Sequence, residues 1–176
     1  MRSTKLLIMI EVSLCVALAM VFAQFKLWQM PNGGSVTLQM VPIFVLALRR
    51  GGKASLTAGL VFGILRMMLS SHVYYPLQGL LDYPIAFALV GVSGFFVKSP
   101  KIGMGLGVTL RFIAHVVAGK VFFGHYAPEG MNQWWYTLTY NATHLIPEII
   151  LTLIVIGILM NRRDLFELQG QATKMG

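Results

Sequence analysis

The sequence predicts an all-α integral membrane protein of six transmembrane helices, with the N- and C-termini both in the cytoplasm. Three observations carry that reading. Of 176 residues, 56% are hydrophobic and only 11% are charged, where a soluble domain of this size carries about 25% charged residues. The apolar residues gather into six segments; a spanning helix needs about 20 such residues, so six spans use roughly 120 and leave only short connections. The basic residues fall in alternate connections, which is how a polytopic chain records its orientation.

The first segment covers about 6–25. Its apolar run is too long for a signal peptide, and no small-residue cleavage site precedes Gln24-Phe25-Lys26, so it is read as the first spanning helix. The second covers about 37–48 and is short. The others cover about 54–69, 77–97, 102–123 and 135–160. Breakers separate them: Pro31-Asn32-Gly33-Gly34, Arg49-Arg50-Gly51-Gly52, Ser70-Ser71-His72, Ser99-Pro100 and Ala127-Pro128-Glu129-Gly130. The whole chain, 1–176, reads as one transmembrane domain with no room for a separate soluble one, and 161–176 as a polar cytoplasmic tail.

With the N-terminus inside, the inner connections hold Arg2, Lys5, Arg49, Arg50, Lys53, Lys98, Lys101, Arg162, Arg163 and Lys174, ten of the 14 basic residues. The outer connections hold Lys26 and, near a helix end, Lys120. Trp28, Trp134 and Trp135 then all fall at the outer interface, where amphipathic rings collect.

The formal net charge of +8 raises nucleic acid as a partner. The basic residues form no stripe on a polar face, however, and their placement fits a bilayer instead. The single cysteine, Cys15, lies inside an apolar run, so neither a disulfide nor a cysteine metal site is expected. No zincin, nucleophile-elbow or phosphate-loop motif is present. The chain is therefore expected to be no enzyme, to carry no cofactor, and to have no means of hydrolysing ATP itself.

Ionisable groups within a span cost a few kcal/mol each on insertion scales, so Glu11, Arg66, Asp82, Arg111, His115, His144 and Glu148 need a reason. They pair with one another, or they build a ligand site. Spacing favours the site. Gln78 and Asp82 share a face of the fourth helix, Arg111 and His115 share one of the fifth, and Tyr136, Tyr140, His144 and Glu148 form a row on the sixth, with Asn141 beside it. With the stated topology, these groups meet at similar depth in the outer half of three helices. The stretch from Phe122 to Tyr136 is dense in aromatic rings. Rings beside a carboxylate suit a flat cation, with cation–π attraction of about 0.5–2 kcal/mol each; the same tryptophans also fit an interfacial belt. On the first helix, Ser13-x-x-x-Ala17 is a small-residue pattern that admits close helix approach, inside the bundle or to a partner.

Taken in order, these motifs resemble one family. Pro31-Asn32-Gly33-Gly34-Ser35-Val36-Thr37-Leu38-Gln39-Met40-Val41-Pro42-Ile43 followed by Arg49-Arg50-Gly51, then Leu80-Leu81-Asp82-Tyr83-Pro84, Arg111-Phe112-Ile113-Ala114-His115, Tyr126-Ala127-Pro128-Glu129-Gly130, Tyr136 and Tyr140-Asn141 are similar to the thiamine-specific substrate-binding subunits (S components) of energy-coupling factor transporters. The resemblance implies high-affinity capture of external thiamine at a prokaryotic plasma membrane, by a subunit that works with a transmembrane coupling subunit and two cytoplasmic ATPases. Carried over position by position, it implies that thiamine is bound by Asp82, Tyr83, Arg111, His115, Phe123, Tyr136 and Asn141, and that Ser13 and Ala17 dock the coupling subunit. Arg111, awkward beside a cation, is expected to orient Asp82 or His115. Asp82 stands where the family also uses glutamate, Phe123 where it can use tryptophan, and Gly33-Gly34 where a tryptophan can join the pocket, a place that Trp28 or Trp134 could fill. The rival readings are an S component for a thiamine precursor or another vitamin, an intramembrane enzyme, and a membrane scaffold without a ligand.

Overall fold

The structure is a computed structural model and describes residues 2–31, 33–162 and 165–166. Six helices carry the architecture: α1 (Arg2–Phe22), α2 (Val41–Arg50), α3 (Gly52–Leu69), α4 (Pro76–Phe96), α5 (Pro100–Tyr126) and α6 (Gln133–Met160). All but α2 are long and apolar enough to cross a membrane.

The second segment departs most from expectation. Helix begins at Val41, not near 37, and α2 has ten residues, about 15 Å at 1.5 Å per residue, half of a hydrocarbon core of about 30 Å. Residues 38–40 form a bend and turn, and two short strands precede them. Trp28–Gln29 (β1) and Ser35–Val36 (β2) pair antiparallel, Trp28 opposite Val36 and Gln29 opposite Ser35. Among the described residues, this small hairpin interrupts an otherwise all-α fold. Its turn uses Gly33 and Gly34 at φ 100° and 90°, the left-handed region that glycine enters without a Cβ penalty. The remaining expected boundaries agree with the helices to within a few residues. Most of the expected cytoplasmic tail, including Arg163 and Lys174, lies outside the described residues.

Lipid-facing and core-facing surfaces are distinct. On α1, Leu6, Met9, Ile10, Leu14 and Leu18 are exposed, whereas Cys15, Val16, Ala19 and Ala23 beyond its end are buried. A stripe of large exposed apolar residues of this length has no place in water and fits hydrocarbon. The helix α2 is buried nearly all round, through Val41, Pro42, Ile43, Phe44, Leu46 and Ala47, and forms the centre of the bundle.

The pairing of α3 with α4 rests on glycine. A Cβ on Gly59 would stand 2.1 Å from the Phe87 carbonyl oxygen, and one on Gly63 would stand 2.5 Å from the Pro84 Cα. Small residues let the two backbones touch, as in packed membrane helices. Phe62 then meets Phe87 edge-on at 4.5 Å between ring centroids.

Glu11, inside α1, is held by structural pairing. Arg49 and Arg50 at the end of α2 each donate two hydrogen bonds to its carboxylate, at 2.7–3.1 Å. Arg49 also donates to the Leu165 carbonyl at 2.6 Å. The α1–α2 corner is thereby tied to Leu165, beyond the end of α6.

Candidate functional site

Two helices open into wider π-type turns where the chemistry collects. In α4 the turn is Leu81–Ile85. Pro84 cannot donate a backbone hydrogen bond there, and the turn displays Asp82 and Tyr83. In α5 the turn is Gly119–Phe123 and displays Phe123. Such bulges occur often at functional sites because they re-aim side chains within a helix.

A cavity of about 720 Å³ lies between α3, α4, α5, α6 and the hairpin, within the usual 300–1,000 Å³ range of small-molecule sites. Asp82, Tyr83, Arg111, His115, Phe123, Tyr136 and Asn141 all line it. Ser13 and Ala17 lie elsewhere, exposed on the outer face of α1.

Asp82 is the fixed point of the wall. Its Oδ1 lies 2.9 Å from His115 Nδ1, and its Oδ2 accepts from Gln78 Nε2 at 2.6 Å. Gln78 is locked in turn: its Oε1 accepts from the Tyr74 backbone N–H at 3.1 Å, and its Nε2 also donates to the His72 carbonyl at 3.3 Å. The expected i, i+4 pairing of Gln78 with Asp82 is therefore present, and it also anchors the loop before α4. Tyr83 shares a hydrogen bond with Ser70. Asn141 donates to the Thr137 carbonyl at 2.8 Å and turns its amide toward the His115 carbonyl at 3.4 Å.

Aromatic side chains line the same cavity. Phe123 meets Tyr74 edge-on at 6.0 Å and stacks on Tyr126 at 6.5 Å, and Tyr136 and Tyr140 stand 6.4 Å apart. The hairpin closes another side. Tyr140 donates to the Gly33 carbonyl at 2.9 Å, and Gly34 lies so close over the His144 ring that a Cβ would meet it at 2.8 Å. Two buried imidazole nitrogens, Nε2 of His115 and Nδ1 of His144, have no hydrogen-bond partner among the described residues.

Two expectations are corrected. Arg111 orients neither Asp82 nor His115. Its Nη1 donates to Glu148 Oε2 at 2.8 Å, and its guanidinium lies 4.6 Å over the Phe87 ring. The row on the sixth helix is therefore divided: Tyr136, Tyr140 and His144 line the cavity, while Glu148 lies behind its wall. The second correction concerns tryptophan. None of Trp28, Trp134 and Trp135 lines the cavity; Trp134 instead packs under the Lys120 ammonium at 5.7 Å.

The sequence reading missed Tyr74 and Tyr75, which line the cavity from the α3–α4 loop. The Ser70-Ser71-His72 stretch was legible only as a breaker, and the adjacent tyrosines carry no periodicity because the segment is not helical. Among the described residues, no three His, Cys, Asp or Glu side chains are placed to hold a metal ion.

A bundle of apolar helices around a polar and aromatic cavity defines a multi-pass membrane protein built to hold a small molecule. The family profile described as thiamine transporter protein (Thia_YuaJ) matches residues 9–167, and the chain belongs to that family. It is 37% identical to the thiamine transporter ThiT of Bacillus subtilis, over 90% of this chain and 92% of the relative. It is 35% identical to the thiamine transporter ThiT of Lacticaseibacillus paracasei, over 89% and 88% of the two chains. A solved structure of ThiT from Listeria monocytogenes matches with a TM-score of 0.83 at 28% identity, over 93% of this chain and 98% of that one.

Proposed function

We propose that this protein captures thiamine from outside the cell with high affinity, as the S component of an energy-coupling factor transporter in a prokaryotic plasma membrane. The observation that carries the reading is the Asp82–His115 pair in a cavity that aromatic side chains also line, within a chain of the thiamine transporter family. Thiamine joins a permanently cationic thiazolium to an aminopyrimidine. An ionised carboxylate has about four acceptor sites; Gln78 and His115 occupy two on Asp82, and the ligand's amino group takes another. With the Nδ1–H of His115 turned to Asp82, Nε2 of the neutral ring is an acceptor, and the Asn141 amide oxygen is a second one beside it, so both suit N–H groups of the ligand. Tyr136 and Phe123 stack on the rings, with Tyr83 beside the carboxylate. Arg111 acts from the wall without touching the thiazolium.

In this reading all six helices belong to the membrane and both termini are cytoplasmic, as the basic residues direct. The short α2 completes its crossing through residues 35–40. Non-helical backbone at membrane depth is tolerated where protein covers it, and Thr37, Gln39 and Met40 are buried. ATP hydrolysis belongs to two separate cytoplasmic ATPases. The coupling subunit docks on the exposed α1 face at Ser13 and Ala17. Denaturing the purified protein and identifying the released molecule by mass spectrometry tests the ligand. Stoichiometric thiamine supports the proposal; a thiamine precursor or another vitamin in its place overturns the thiamine assignment.

A further inference from the structure

The charges around the cavity do not, by themselves, favour a cation. Among the described residues its lining holds Lys26, Arg66 and Arg111 against one carboxylate, Asp82. Arg111 is the most deeply placed of the three, buried at 4% exposure, and a guanidinium stays protonated in any protein setting. At low effective dielectric an unbalanced charge acts strongly over the width of a cavity, so Arg111 alone would repel a thiazolium.

Glu148 changes that balance. It is fully buried at 0% exposure and is not part of the lining. Its Oε2 takes the Arg111 hydrogen bond at 2.8 Å. Its Oε1 accepts from Thr37 Oγ1 at 2.7 Å and from Gln39 Nε2 at 3.0 Å, so the carboxylate is fixed from the far side by the segment that follows the hairpin. Phe87 covers the face of the guanidinium. Arg111 therefore reaches the cavity as one end of a rigid ion pair; of the other two cations Lys26 is exposed and Arg66 half-buried, where water screens them more than it would a buried, unpaired Arg111.

We propose that Glu148 is the positioning residue that makes this cavity accept a cation, by neutralising Arg111 from behind the wall. The inference rests on the reading that the ligand is thiamine. Its test compares thiamine with a neutral isostere carrying carbon in place of the thiazolium nitrogen, both titrated calorimetrically into detergent-purified protein. Glu148→Gln keeps the shape and an oxygen acceptor for Thr37 and Gln39 while removing the charge. It is expected to weaken thiamine at least tenfold and the isostere less than threefold. Adding Arg111→Gln is expected to return at least half of the lost thiamine affinity on a logarithmic scale, because replacing both members of a buried pair avoids a stranded charge. Equal losses for both ligands, with no recovery in the double variant, would make Glu148 merely structural and overturn the proposal. If Glu148→Gln alone does not fold, the double variant decides: it should prefer thiamine over the isostere as the unaltered protein does, and collapse of that preference overturns the proposal. Failure of the unaltered protein to bind thiamine is a separate result, which removes the thiamine reading and this inference with it.

Discussion

His115 Nδ1 lies 2.9 Å from Asp82 Oδ1, joining the body of α5 to the widened turn of α4 across the cavity wall. The contact brings together residues 33 positions apart on two helices, and both side chains are largely shielded, at 13% and 18% exposure. Replacing Asp82 by asparagine keeps the shape and removes the charge. The Asp82→Asn variant is expected to bind thiamine at least tenfold more weakly, which corresponds to about 1.4 kcal/mol. Calorimetric titration checks this, and unchanged affinity removes Asp82 from the site.

The hairpin depends on the absence of a side chain at Gly34. The residue sits at φ 90°, and a Cβ would press on the His144 ring at 2.8 Å. Left-handed backbone costs a non-glycine residue about 1–2 kcal/mol, and His144 has little room to yield beneath it. Gly34→Ala is therefore expected to loosen the hairpin and speed ligand dissociation, with faster hydrogen exchange in residues 27–36 but not in α3. Unaltered exchange in that stretch contradicts the seating described for it.

The contact of α3 with α4 makes a prediction about stability. Gly59→Val would place atoms where the Phe87 carbonyl already stands, and backbone gives way less readily than a side chain. Overpacking costs about 1–3 kcal/mol where side chains can adjust, and the upper end or beyond is expected here. A fall of several degrees in the thermal unfolding midpoint in detergent is the expected result; Gly105→Ala, which meets open space, is the control.

Much of this fold was legible in the sequence because its signals are those of a membrane solvent. Apolar length defined five long helices to within a few residues, and the grouping Gln78–Asp82, Arg111–His115 and Tyr136–Tyr140–Asn141 followed from helical periodicity. The second segment was read as helix from 37 because its apolar run is continuous. The structure keeps 37–40 out of the helix, which begins at Val41, because β2 runs up to Val36 and the Thr37 and Gln39 side chains turn to Glu148. The partner of Arg111 was hidden for a related reason. It lies 37 residues away on a helix whose polar row faces two surroundings, and periodicity within one helix does not reveal which neighbour covers each turn.

Tryptophan gives an independent check on the cavity. Since Trp28, Trp134 and Trp135 all stand outside its lining, replacing each in turn by phenylalanine is expected to change thiamine affinity less than twofold. A loss of tenfold or more at any one of them would place that ring against the ligand and contradict the wall described above.

The coupling surface is tested apart from the cavity. Ala17→Trp adds bulk to the exposed face of α1 without reaching the bundle core. It is expected to leave thiamine binding by the purified protein within twofold while reducing uptake in cells that carry the full transporter by at least tenfold. Uptake that survives the substitution moves the docking site away from α1.

The most direct test of the account is a calorimetric titration of thiamine into the detergent-purified, ligand-depleted protein. Saturable one-to-one binding at submicromolar concentration is the predicted result. A folded sample with a sharp unfolding transition that takes up no thiamine would contradict the central claim, leaving the six-helix family fold in place and the cavity with a different ligand.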